Sequence, residues 1–124
     1  MQTNTNTIMI VDDSQFMRNV IKLTLQQLGY DSFVEAANGE QAIALYKTVH
    51  PNAVFLDITL PDINGLECLK EIVSMDQSPN VIICSAMGQT FYISEAYSMG
   101  AKDYVVKPFS PDRICAALRK CGLQ

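Results

Sequence analysis

Apolar residues gather in five short runs along the chain. They are Ile8-Met9-Ile10-Val11, Phe33-Val34 within Ser32 to Ala37, Ala53-Val54-Phe55-Leu56, Val81-Ile82-Ile83-Cys84, and Tyr104-Val105-Val106 within Asp103 to Val106. Brief apolar runs closed by turn signals predict strands buried on both faces of a parallel sheet. Between the runs the spacing changes to three and four. Met17, Val20/Ile21, Leu25 and Leu28 predict a helix from Ser14 to Leu28, with Gly29 as its stop. Ala42, Leu45, Tyr46 and Val49 place a second over Gly39 to Val49, and Leu66, Leu69 and Ile72/Val73 mark a third. A fourth covers Thr90 to Met99 and stops at Gly100. The last carries Ile114, Ala117, Leu118 and Cys121 behind Pro111, a residue that the first turn of a helix tolerates.

Five alternating strand–helix units imply a (βα)5 α/β fold. The sheet is doubly wound and parallel, with helices on both faces and right-handed crossovers. No repeat or low-complexity linker interrupts it, so residues 1–124 read as a single domain with a flexible start over residues 1–6. No output domain is expected after the last helix.

Composition narrows the function classes. A net charge of −4 and a pI of about 4.7 argue against a general nucleic-acid surface. Cys68, Cys84, Cys115 and Cys121 show no metal-ligand spacing, and His50 is the sole histidine. With no signal peptide, reduced thiols in a cytoplasmic protein are expected. No apolar run approaches the ~20 residues of a membrane span.

The chemistry sits where the runs end. The first runs into Asp12-Asp13, the third into Asp57, the fourth into Ser85, and Lys107 follows the fifth. All carboxyl ends of a parallel sheet point one way, toward the edge where open α/β sheets bind ligands. Each residue also has an ordinary structural role available. Asp57 could simply start a turn, and Asp13 or Ser14 could cap the first helix, although Gln15 to Met17 supply no acid for a capping box. Ser85 could be a turn hydroxyl and Lys107 a solvated lysine. Their joint placement at successive strand ends favours a site.

Clustered carboxylates repel unless a cation neutralises them, and oxygen donors without imidazole or thiolate favour Mg²⁺. A carboxylate facing a metal, a hydroxyl and an ammonium is equipped for phosphoryl transfer. Asp57 would be the in-line nucleophile, with Ser85 and Lys107 donating to the phosphoryl oxygens. It needs no base, being ionised at neutral pH.

In order and spacing, Asp12-Asp13, Asp57 with Leu60-Pro61 and Gly65, Ser85-Ala86 and Lys107-Pro108-Phe109 resemble the receiver domain of two-component response regulators. The resemblance runs from about Ile8 to Cys121. It implies the flavodoxin-like receiver fold with strand order 2-1-3-4-5, as in chemotaxis members of that family. It also implies that Asp57 accepts a phosphoryl group from a histidine kinase. By the same resemblance Asp12 (through water), Asp13, the Asp57 side chain and the Thr59 carbonyl hold Mg²⁺. Ser85 and Lys107 bind the phosphoryl oxygens, and Tyr104 is the switch aromatic that follows the Ser85 hydroxyl. The chain would catalyse no more than its own phosphorylation and dephosphorylation. The Lys107–Pro108 bond is expected to be cis. Thr59 and Met87 occupy the positions that tune the lifetime of the phosphoryl group. Met87 offers no polar handle to an attacking water, which implies slow hydrolysis without a phosphatase.

Ser85-Ala86-Met87-Gly88-Gln89 and Gly100-Ala101-Lys102-Asp103-Tyr104 are similar to chemotaxis regulators. The expected partner is therefore a flagellar motor switch protein, docking on Phe91, Tyr92, Ile93, Tyr97 and Tyr104. A phosphorelay intermediate that passes its group to a histidine phosphotransferase is the alternative. Other classes fit less well. An aspartate-nucleophile phosphatase wants a second acid where Thr59 stands, and Asp12-Asp13 would repel the phosphate of a flavin-binding electron carrier.

Overall fold

Each apolar run is a strand and each periodic stretch a helix. In chain order they are β1 (Thr7–Val11), α1 (Gln15–Gln27), β2 (Ser32–Ala36), α2 (Gly39–Val49), β3 (Ala53–Leu56), α3 (Gly65–Met75), β4 (Val81–Ser85), α4 (Thr90–Ser98), β5 (Asp103–Val106) and α5 (Pro111–Lys120). The structure, a computed structural model, describes residues 6–123. The flexible start expected over residues 1–6 lies, but for Asn6, outside the described residues.

The strands pair in parallel in the order β2-β1-β3-β4-β5. This is the order that the receiver resemblance implied. The central strand β3 is buried along its whole length, and its alternating side chains feed two separate cores. Val54 and Leu56 join Met9, Val11 and Ile83 beneath Ala42 and Tyr46 of α2, Leu66, Leu69 and Ile72 of α3, and Ala96 of α4. Ala53 and Phe55 join Ile8, Ile10 and Ile82 beneath Ile21 and Leu25 of α1 and Ile114, Ala117 and Leu118 of α5. Each large aliphatic or aromatic side chain fully withdrawn from water contributes about 1.5–3 kcal/mol. The two-sided burial of β3 therefore makes it the spine of the domain.

Four helices begin on a side-chain cap. Ser14 accepts from the Met17 N–H, Asn38 from Gln41, Asn64 from Leu66, and Ser110 from Arg113 ahead of Pro111. The cap of α1 is thus Ser14 rather than Asp13, which leaves Asp13 at the sheet edge. Helix α4 differs: Gln89 makes no capping bond and Ala96 is its one fully buried residue. It is fastened more lightly than its neighbours.

Candidate phosphoacceptor site

Strands β1, β3 and β4 stop at the same edge, and each delivers a polar residue there. Among the described residues, Asp12, Asp13 and Asp57 offer carboxylate oxygens that all lie within 4.8 Å of one another. Asp12 and Asp57 are buried and Asp13 is exposed, so the cluster has a wet side and a dry side. Lys107 closes the dry side, donating to Asp12 Oδ2 at 2.6 Å and to Asp57 Oδ2 at 3.0 Å. Its side chain is 14% exposed, which excludes the solvated lysine that the sequence left open. Burial alone would lower the Lys107 pKa, but the hydrogen bond and charge of Asp12 and Asp57 outweigh it and the net shift is upward.

The second oxygen of each buried acid is occupied by backbone. Asp57 Oδ1 accepts from the Thr59 N–H at 3.2 Å and Asp12 Oδ1 from the Ser14 N–H at 2.9 Å. Asp57 therefore starts a turn and at the same time faces the other two acids and Lys107. Gly65 lets the loop close. Its N–H donates to the Ile58 carbonyl at 2.7 Å, and a Cβ there would meet the Asp57 carbonyl oxygen at 2.1 Å.

Ser85 ends β4, fully buried, and its carbonyl accepts from the Lys107 N–H at 2.9 Å. Its hydroxyl accepts from the Met87 N–H at 3.1 Å, the turn bond expected of an ordinary structural serine. The Met87 carbonyl in turn accepts from the Tyr104 hydroxyl. Met87 therefore links Ser85 to Tyr104, through its N–H on one side and its carbonyl on the other. Tyr104 is 5% exposed, and burial raises its pKa. The Lys107–Pro108 bond is cis.

The expected docking patch needs correction. Tyr104 is buried and lies beneath the surface, because its place on β5 turns it into the core shared with Ala96 and Leu69. Tyr92 and Ile93 are half-buried against that core, and Phe91 and Tyr97 are exposed. Val106, on the same face of β5 as Tyr104, is also exposed. Phe91, Tyr92 and Met99 line an open groove of about 410 Å³ opposite Leu66 and Lys70 of α3.

Sequence reasoning passed over two further carboxylates. Asp103, fully buried at the start of β5, accepts from both terminal nitrogens of Arg113 (2.7 and 2.9 Å), from Lys120 and from the Tyr97 hydroxyl. Burial would raise its pKa, but Arg113 and the other donors outweigh it and hold the group ionised well below the usual carboxylate range. An acid opening an apolar strand, with an arginine on the next helix, was its legible signal. Asp62 was the other: it accepts from three backbone N–H groups, two of them on α2. Neighbouring thiols play no part. Cys84 is buried beside the site and its pKa is pushed up to about 12 by that burial.

The carboxylate set fits a hard divalent cation. Three acids against one ammonium leave excess negative charge, and the exposed Asp13 gives a hydrated ion access. A family model described as the response regulator receiver domain matches residues 8–119. The chain belongs to that family. As a receiver domain it is a signalling module, and it resembles full-length relatives closely. It is 45% identical over 113 residues to the chemotaxis protein CheY of Thermotoga maritima, covering 91% of this chain and 94% of the relative. It is 46% identical over 113 residues to the CheY of Bacillus subtilis, with the same coverage. Among solved structures, the receiver matches a chain of the CheX-CheY-BeF3-Mg+2 complex from Borrelia burgdorferi. That match has a TM-score of 0.90 and 30% identity, and covers 96% of this chain and 90% of the other. Among the described residues, no helix is long and apolar enough to cross a membrane.

Proposed function

We propose that this receiver domain takes a phosphoryl group from a histidine kinase onto Asp57 and uses it to control flagellar motion in chemotaxis, acting in the cytoplasm. The observation that carries the reading is Lys107 lying between Asp12 and Asp57 at 2.6 and 3.0 Å, with Asp13 alongside. Similarity to chemotaxis proteins across nearly the whole chain supports the biological assignment.

Asp12, Asp13, Asp57 and the Thr59 carbonyl would hold Mg²⁺, Asp12 through water. A bound Mg²⁺ would supply the positive charge that lets an anionic phosphoryl group approach three carboxylates. An Asp57 oxygen forms a bond to phosphorus as the phosphorus–nitrogen bond of the donor phosphohistidine breaks, and the imidazole nitrogen keeps that electron pair. Lys107 then bonds a phosphoryl oxygen in place of a carboxylate, and the Ser85 hydroxyl donates to another. Turning that hydroxyl toward the phosphoryl group disturbs its bond with the Met87 N–H. The carbonyl of the same residue, Met87, holds Tyr104, so the change reaches β5 and the lightly fastened α4. Phe91, Tyr97 and the exposed parts of Tyr92 and Ile93 would then present the partner surface. Of the two lifetime-tuning positions, Thr59 and Met87, Met87 offers an attacking water no polar side chain, so the phosphoryl group persists until a phosphatase acts.

Acetyl phosphate with Mg²⁺, followed by borohydride trapping and mass spectrometry, tests the acceptor. Modification should map to Asp57 and vanish in Asp57→Asn; labelling of another residue overturns the assignment. Capture of a motor switch protein that depends on beryllofluoride tests the output. Rapid transfer to a histidine phosphotransferase would instead favour a phosphorelay.

A further inference from the structure

Asp62 lies in the loop between β3 and α3, five residues beyond Asp57 and away from the three acids of the site. Both of its oxygens are engaged. Oδ1 accepts from the Gly39 N–H at 2.9 Å and the Ile63 N–H at 2.8 Å, and Oδ2 from the Glu40 N–H at 2.9 Å. Gly39 and Glu40 open α2, whose next free donor, Gln41, is satisfied by Asn38 at 2.8 Å. Helix α2 is therefore capped twice, once by its own Asn38 and once by a carboxylate from a loop 22 residues away. Favourable charge at a helix N-terminus strengthens the second cap, and those N–H groups hold the Asp62 pKa below the usual carboxylate range.

The neighbouring contacts show what this cap is for. A Cβ on Gly39 would meet Ile63 Cγ1 at 2.4 Å, so the loop is seated directly on the helix start. At its other end the loop is fixed by the Gly65 N–H on the Ile58 carbonyl. Thr59, Leu60 and Pro61 lie between these two fastenings, with local bonds from the Thr59 N–H to Asp57 Oδ1 at 3.2 Å and from the Leu60 N–H to the Ile58 carbonyl at 3.1 Å. A helix needing a cap could use Asn38 alone; the bonds from Asp62 add a fixed position for the loop.

We infer that Asp62 is a positioning residue: by fastening the β3–α3 loop to the start of α2 it holds the Thr59 carbonyl in place for the cation. This rests on the proposed Mg²⁺ site at Asp12, Asp13 and Asp57. Groups that orient metal ligands without touching the metal commonly change affinity ten-fold or more when removed.

Titration calorimetry with MgCl₂ on the full chain tests it, with thermal melts alongside. Asp62→Ala should weaken Mg²⁺ binding about ten-fold. Asn38→Ala, which removes the other cap of α2 but leaves the loop fastened, should lower the melting temperature with nearly unchanged Mg²⁺ affinity. Asp62→Asn keeps one acceptor oxygen and should fall between wild type and Asp62→Ala. Equal losses in the Asp62→Ala and Asn38→Ala variants would reduce the residue to a helix cap and overturn the inference. Equal losses in Asp62→Ala and Asp62→Asn would assign the effect to charge alone and also overturn it. Failure of the wild type to bind Mg²⁺ would instead refute the underlying site.

Discussion

Replacing Asp13 by Asn should stabilise the protein without Mg²⁺ and relatively destabilise it when Mg²⁺ is present. The carboxylate oxygens of Asp12, Asp13 and Asp57 lie within 4.8 Å of one another. At that separation two unit charges repel by about 0.9 kcal/mol under water-like screening and by about 3.5 kcal/mol at an effective dielectric of 20. Asp13 is exposed, so the lower figure governs. Lys107 bonds the other two acids and offsets one of the two repulsions that Asp13 feels. The surplus is about 1 kcal/mol, or a rise of about 3–5 °C in the midpoint for a chain of this size. Mg²⁺ at ten times its dissociation constant adds about 1.4 kcal/mol to a folded state that binds it. Wild type gains this and the variant, lacking a ligand, gains much less, so their order of stability should invert. Calorimetric melts in low-salt buffer with EDTA, and again with saturating MgCl₂, measure both arms. A variant that melts below wild type in EDTA would refute the charge argument, and equal Mg²⁺-induced shifts would remove Asp13 from the ligand set.

Gly65→Ala forces a Cβ to within 2.1 Å of the Asp57 carbonyl oxygen and 2.5 Å of the Ile58 Cα, backbone atoms that cannot swing aside. The expected loss is about 3 kcal/mol in urea unfolding, with reduced Asp57 phosphorylation; a wild-type midpoint would contradict the close approach. Arg113→Gln leaves the buried Asp103 short of its main partner and should cost about 3 kcal/mol at pH 7. Because the folded-state pKa of Asp103 is depressed, its contribution is present above about pH 4 and is lost as pH falls through that lowered value. The deficit of the variant should therefore narrow in unfolding experiments below pH 4, and a deficit constant down to pH 3 would refute the pairing. Lys107→Ala should lower the melting temperature in EDTA more than in Mg²⁺, since Asp12 and Asp57 lose their shared cation. It should still accept phosphate but fail to bind partner on activation; binding that persists would contradict its role in the switch.

Local pattern alone carried the elements of this receiver and the carboxyl-end residues. Val54 and Leu56 alternate with Ala53 and Phe55, and a four-residue apolar run has few alternatives to a two-sided buried strand. Once five such strands alternate with helices, Asp12, Asp13, Asp57 and Ser85 must share an edge, because parallel strands all end on the same side. Capping also followed short-range rules, as Ser14, Asn38 and Ser110 illustrate.

The tertiary fold settled which of several suitable partners each polar group takes. Lys107 bonds Asp12 and Asp57, the exposed Asp62 caps α2, and Asp103 gathers Tyr97, Arg113 and Lys120. Tyr104, which sequence placed on the docking surface and on the switch alike, is beneath that surface. Hydrophobic periodicity fixes which way a side chain faces within its own element. Hydrogen bonds between distant elements depend on how helices and strands pack, and that distance is not encoded in any local spacing.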